Sequence, residues 1–140
     1  MTTELEPEQP LRVLVVEDDD DTRANLRDII ELQGHSVHVE RTFSATVARK
    51  NLGDFDVILL DRKLPDGLVE DYLARIGEIA PKADLIVVTG YADTQASIAA
   101  LREGVTDYII KPINPDDLLR TLQHISRRRC IEKELAKEHE

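Results

Sequence analysis

The sequence predicts an α/β fold, a doubly wound five-stranded parallel sheet with helices on both faces. Two observations carry this prediction. Short apolar runs bounded by polar residues, such as Val57-Ile58-Leu59-Leu60, alternate five times with segments of helical periodicity. Strands buried on both faces and joined by helical crossovers have this pattern. In addition, Glu17 with Asp18, then Asp61, Thr89 and Lys111 each stand at the carboxyl end of one such run. That is the edge at which open α/β sheets bind and react.

Residues 1–10 are acidic, carry Pro7 and Pro10, and lack the apolar centre of a signal peptide, so they read as a disordered leader. Leu11 to Val16 is the first strand, and it breaks into Glu17-Asp18-Asp19-Asp20-Asp21. Asp19, Asp20 and Asp21 read as a helix start, where carboxylates cap free amides and meet the positive end of the dipole. The helix from Thr22 to Gln33 places Leu26, Ile29, Ile30 and Gln33 on one face, and Gly34 stops it. Ser36 to Glu40 alternates polar and apolar, as an edge strand does. Phe43 to Leu52 reads as the second helix, with Phe43, Val47 and Ala48 inward and Gly53 ending it.

Asp56 to Leu60 is the third strand. It presents Asp61 at its tip, before the turn residues Pro65-Asp66-Gly67. A third helix runs from Leu68 to Ile79, closed by Pro81, and the fourth strand from Asp84 to Val88 leads into Thr89-Gly90-Tyr91. Asp93 caps a fourth helix reaching Arg102, and Thr106 to Ile110 is the last strand, followed by Lys111-Pro112. Asn114 caps the fifth helix, with Pro115 at its first position and Leu118, Leu119, Leu122 and Ile125 recurring at helical spacing. Residues 11–126 make one domain, and residues 127–140 read as a charged helical extension or linker, with Arg127-Arg128-Arg129 as a solvated face.

The formal net charge of −10 argues against direct binding to nucleic acid or to an anionic membrane. No apolar run is long enough for membrane insertion. The single cysteine, Cys130, excludes an internal disulfide and fits a reducing, cytoplasmic setting. His35, His38, His124 and His139 lack metal-ligand spacing and read as surface residues.

For the polar strand ends to converge, strands one, three, four and five must be neighbours, as in the flavodoxin-like order 2-1-3-4-5. Glu17, Asp18 and Asp61 would then repel one another, by about 4 kcal/mol for a pair at about 4 Å and an effective dielectric of about 20. A hard divalent cation with oxygen ligands relieves this, and Mg2+ held so commonly holds a phosphate too. Lys111 and the Thr89 hydroxyl suit the remaining phosphoryl oxygens, and Asp61 on the rigid strand tip suits the acceptor.

Several pieces now form a series in order: Val13-Leu14-Val15-Val16-Glu17-Asp18, Ile58-Leu59-Leu60-Asp61 with Leu64-Pro65-Asp66-Gly67, Val87-Val88-Thr89-Gly90, and Asp107-Tyr108-Ile109-Ile110-Lys111-Pro112. From Leu11 to about Ser126 the chain resembles a response-regulator receiver domain of two-component signal transduction. The resemblance implies that Asp61 is the phosphoacceptor, and that Asp18, Glu17, Asp61 and the backbone carbonyl of Lys63 hold Mg2+. It implies that Thr89 and Lys111 contact the phosphoryl group, that Thr89 and Tyr108 form the switch, and that the Lys111–Pro112 peptide is cis. It also implies a histidine kinase or phosphotransfer protein as partner, with a homodimer possible through the fourth helix, fifth strand and fifth helix.

Such a chain is a phosphoacceptor that assists its own phosphorylation and dephosphorylation, not an enzyme. Its output passes through protein contact or through an effector not present in this chain. Lys63 and Tyr91 lie beside the expected pocket, and restriction of the attacking water by these two would set the lifetime of the phosphorylated state. The alternatives are a phosphorylation-independent interaction module, against which the intact Asp61, Lys111 and acidic pair speak, and a phosphohydrolase. The latter lacks a second carboxylate two residues beyond Asp61, where Lys63 stands.

Overall fold

The structure is a computed structural model that describes residues 9–90 and 104–138. Tyr91, the helix expected from Asp93 to Arg102, residues 1–8 of the leader and His139 lie outside the described residues.

Strands β1 (Arg12–Val16), β2 (Ser36–Glu40), β3 (Val57–Asp61), β6 (Asp84–Thr89) and β7 (Asp107–Ile110) pair in parallel, in the order β2-β1-β3-β6-β7. This is the expected 2-1-3-4-5 once a small antiparallel hairpin, β4 (Lys63–Leu64) with β5 (Gly67–Leu68), is set aside. Every residue of β3 and β6 is buried, which explains their lack of alternation in sequence. Alternate side chains enter opposite layers. Val13, Val15, Val57, Leu59, Ile86 and Val88 pack with Leu26 and Ile30 of helix α1 (Asp20–Leu32) and with the C-terminal helix (Pro115–Glu138). Leu14, Val16, Ile58, Leu60, Leu85 and Val87 pack with Phe43 of α2 (Phe43–Val47) and Ile76 of α3 (Leu73–Ile79).

Two helices are shorter than the sequence implies. Helix α2 is capped by the Thr42 hydroxyl and stops at Val47, and Leu52–Asp54 forms a separate 3-10 turn. A continuous helix would carry Leu52 about 180° round the axis from Phe43 at 3.6 residues per turn. The break lets both side chains be fully buried, while Ala48, expected inward, is exposed. The span expected as helix from Leu68 instead begins with β5 and a 3-10 turn at Val69–Asp71. The Val69 amide bonds to the Arg62 carbonyl at 2.8 Å, which ties this segment back to the end of β3 and delays helix α3 to Leu73.

Two further expectations are corrected. His35 is buried rather than at the surface, because its Nδ1 accepts the Leu11 amide at 3.0 Å. The arginine run is only partly solvated: Arg128 and Arg129 both reach the buried carboxylate of Asp84 at the first position of β6.

Candidate functional site

The parallel register decides what meets at the carboxyl edge. Val16 lies opposite Leu60, Asp61 opposite Val88, and Thr89 opposite Ile110. Glu17, Asp61, Thr89 and Lys111 are therefore the last residues of their strands or the first beyond them. An open cleft of about 350 Å³ lies at this edge, lined by Glu17, Asp18, Asp61, Lys63 and Lys111 among others.

Asp61 is buried. Its Oδ2 accepts from Lys111 Nζ at 2.8 Å, and its Oδ1 lies 3.4 Å from the Lys63 amide. Lys111 Nζ also stands 3.6 Å from Glu17 Oε1. The other Glu17 oxygen accepts the Asp19 amide at 3.2 Å. One oxygen each from Glu17, Asp18 and Asp61 lie within 4.8 Å of one another.

The electrostatics follow from this crowding. Burial, first, and the neighbouring Asp61 charge push the Glu17 carboxyl up to about 7, against the opposing pull of the Asp19 amide and Lys111. Burial alone would lower Lys111, but its hydrogen bond to Asp61 and the charges of Asp61 and Glu17 outweigh this and hold its pKa above the usual lysine value. Three converging carboxylate oxygens, with neither sulfur nor imidazole among them, fit a hard divalent ion such as Mg2+.

Thr89 is buried next to Val88, the residue paired with Asp61, and its hydroxyl has no hydrogen-bond partner among the described residues. Tyr108 is partly buried in β7 and packs against the core layer that contains Val87. The Lys111–Pro112 peptide is cis. The Lys63 side chain is exposed beside the cleft.

Sequence reasoning missed three residues that shape this edge. Arg23, from α1, donates to the carbonyl of Glu17 at 3.0 Å. Asp66, in the hairpin turn, accepts the amides of Phe43 and Ser44 at the start of α2. Arg62, which lines the cleft, is paired with Glu70 at 2.8 Å. The only signal in the sequence is for Arg23: a cation one turn into a helix, where the dipole favours acids.

The family model described as the response regulator receiver domain matches residues 13–123. The solved receiver domain protein (CheY-like) of Methanospirillum hungatei JF-1 is 32% identical, covers 90% of this chain and 99% of its own, and superposes with a TM-score of 0.77. A 14.6 kDa protein of Leptolyngbya boryana is 37% identical over 79% of this chain and 86% of its own length. The regulatory protein AtoC of Escherichia coli is 29% identical over 92% of this chain but only 28% of its own length. The transcriptional regulatory protein TcrA of Mycobacterium tuberculosis is 33% identical over 84% of this chain and 47% of its own. The chain thus spans less than half of these two longer regulators.

Proposed function

The chain belongs to the response regulator receiver domain family, and we propose that it works as a phosphorylation-activated switch with Asp61 as phosphoacceptor. The observation that supports this best is the setting of Asp61. It sits on the tip of a wholly buried strand, bonded to Lys111 at 2.8 Å and facing carboxylate oxygens of Glu17 and Asp18 within 4.8 Å.

The donor is a phosphohistidine on a histidine kinase or phosphotransfer protein. A carboxylate oxygen of Asp61 forms the new bond to phosphorus as the bond from phosphorus to imidazole nitrogen breaks. The product is an acyl phosphate, and the imidazole leaves with the bonding pair. Glu17, Asp18, Asp61 and the backbone carbonyl of Lys63 would hold Mg2+. When bound, the ion supplies positive charge that offsets the phosphoryl and carboxylate oxygens. Lys111 Nζ already stands at the Asp61 carboxylate, so the phosphoryl oxygens brought to that carboxylate would meet a cation already in place.

Among the described residues the buried Thr89 hydroxyl has no acceptor, and a phosphoryl oxygen would provide one. Movement of Thr89 followed by Tyr108 is the two-state element that carries the signal outward. The output face would combine the helix expected from Asp93 to Arg102, β7 and the C-terminal helix, and would serve protein contact, a homodimer included. Lys63, exposed at the cleft, and Tyr91 restrict access of the hydrolytic water. If Lys63→Ala and Tyr91→Ala both leave the dephosphorylation rate unchanged, that assignment is wrong.

The main test is intact mass and NMR with Mg2+ and acetyl phosphate, beside Asp61→Asn. The expected result is a labile phosphoryl adduct, absent from the variant, with shifts spreading to Thr89 and Tyr108. No adduct and no Mg2+-dependent change would favour an interaction module that works without phosphorylation.

A further inference from the structure

Arg23 is a cation in a place that a helix disfavours. It is the fourth residue of α1, near the positive end of the helix dipole. Its guanidinium turns back past the start of the helix. Nη1 donates to the Glu17 carbonyl at 3.0 Å and reaches the Asp18 carbonyl at 3.4 Å, while Nη2 meets Asp20 at 2.5 Å. Arg41, from the turn after β2, holds the same Asp20 oxygen at 2.5 Å. The Arg23 side chain is only 16% exposed.

These contacts with Glu17 and Asp18 are made to the backbone, not to the carboxylates. Lys111 does the opposite and spends its charge on the carboxylates of Asp61 and Glu17. The acidic loop is thus held through its backbone by Arg23, while one carboxylate oxygen each from Glu17 and Asp18 converges with one from Asp61 at the cleft. We infer that Arg23 is a positioning residue for the divalent-cation site: by fixing the carbonyls of Glu17 and Asp18 it aims their side chains at Asp61. This rests on the reading of Glu17, Asp18 and Asp61 as Mg2+ ligands.

Plain electrostatics makes the opposite prediction. A guanidinium near a divalent ion repels it, so if charge were all that mattered, removing Arg23 would tighten Mg2+ binding. Positioning requires that removal weaken it. The sign of the change therefore separates the two.

The experiment measures Mg2+ affinity by titration calorimetry, and melting in EDTA, for the unaltered chain, Arg23→Gln and Arg23→Lys. Gln removes the charge. Lys keeps it but lacks the planar fork that reaches two carbonyls and a carboxylate together. Both variants should bind Mg2+ about tenfold more weakly, the scale seen when a group that orients a metal ligand is removed. Both should still melt cooperatively in EDTA, and if Arg23→Gln does not fold, Arg23→Lys carries the test. Equal or tighter binding by Arg23→Gln would overturn the inference. So would full affinity in Arg23→Lys, which would show that the fork reaching two carbonyls and a carboxylate together is not what holds the site, or failure of both variants to fold, which would make the role structural. Asp18→Asn is run alongside. If the unaltered chain takes up no Mg2+, or Asp18→Asn binds as well as it does, the metal-site reading fails and this inference falls with it. A failure confined to Arg23 leaves that reading standing.

Discussion

Arg129 grips the Asp84 carboxylate with two nitrogens, Nε at 3.1 Å and Nη2 at 3.0 Å, on the edge of the sheet opposite the acidic cleft. The same guanidinium reaches Asp56 Oδ1 at 3.1 Å and the carbonyls of Asp56 and Lys82 at 2.9 and 2.6 Å. Arg128 and the Thr106 hydroxyl complete the shell around Asp84. Arg129→Met should destabilise the fold by about 2 kcal/mol in urea titrations. That is less than a fully orphaned buried charge would cost, because Arg128 and Thr106 remain. The mass adduct at Asp61 should persist, since the two edges are separated by the length of β3.

His35 should make stability depend on pH near neutrality. Burial lowers its pKa below 6.5, and the nearby Asp56 charge only partly opposes this. The folded chain therefore keeps the imidazole neutral, with Nδ1 accepting the Leu11 amide, where the unfolded chain takes up a proton. The contribution is whole above the unfolded value of 6.5 and is lost as pH falls from there through the lower folded value. Melting temperatures recorded from pH 8 down to 5 should fall in this window, and His35→Gln should flatten the slope.

Glu17 works in the other direction. Its folded pKa of about 7 lies above the unfolded 4.5, so its contribution is favourable below the unfolded value and is lost as pH rises through about 7. At neutral pH and without metal, the group therefore opposes folding. Glu17→Gln should raise stability by about 1–2 kcal/mol in EDTA, a discounted conversion of the shift. The same variant should weaken Mg2+ binding. A lowered melting temperature in EDTA would contradict this account.

Asp66 joins the hairpin to α2. Its carboxylate accepts the Ser44 amide and hydroxyl, each at 2.8 Å, and the Phe43 amide at 3.2 Å. Burial would raise its pKa, but these bonds outweigh burial and hold it below the usual aspartate value. Asp66→Ala should cost about 1–2 kcal/mol, as loss of a helix cap does, and chemical denaturation would measure it. Asp66→Asn should recover part of the loss.

Much of this architecture was legible in the sequence because parallel strands buried on both faces write themselves as unbroken apolar runs. The residue after each run falls on the reactive edge, so Glu17, Asp61, Thr89 and Lys111 could be grouped before any contact was known. Helix ends were less legible. The stop in α2 depends on which side of the axis Leu52 must reach, and the delayed start of α3 on a carbonyl at Arg62. Nothing local marked His35 as buried, since its partner is the Leu11 amide in a neighbouring strand segment. Arg23, Asp66 and Arg129 were hidden for a related reason. A guanidinium or carboxylate that closes on backbone groups of another segment leaves no periodicity behind. Asp56, just before β3, and Asp84, the first residue of β6, were a faint hint, because a carboxylate at the entry of a buried strand needs a partner.

The complete burial of β3 also has a consequence for time. Amides hydrogen-bonded between buried central strands exchange with solvent only when the whole domain opens, whereas peripheral turns exchange through local openings. The amides of Val57 to Leu60 should be among the last to take up deuterium, and Asp61 is carried on that slowest element. Fluctuations of the β4–β5 hairpin or of the outer end of the C-terminal helix can come and go many times while the acceptor carboxylate stays in place. The acid would then lose its position only on the clock of global unfolding, not on that of the loops around it.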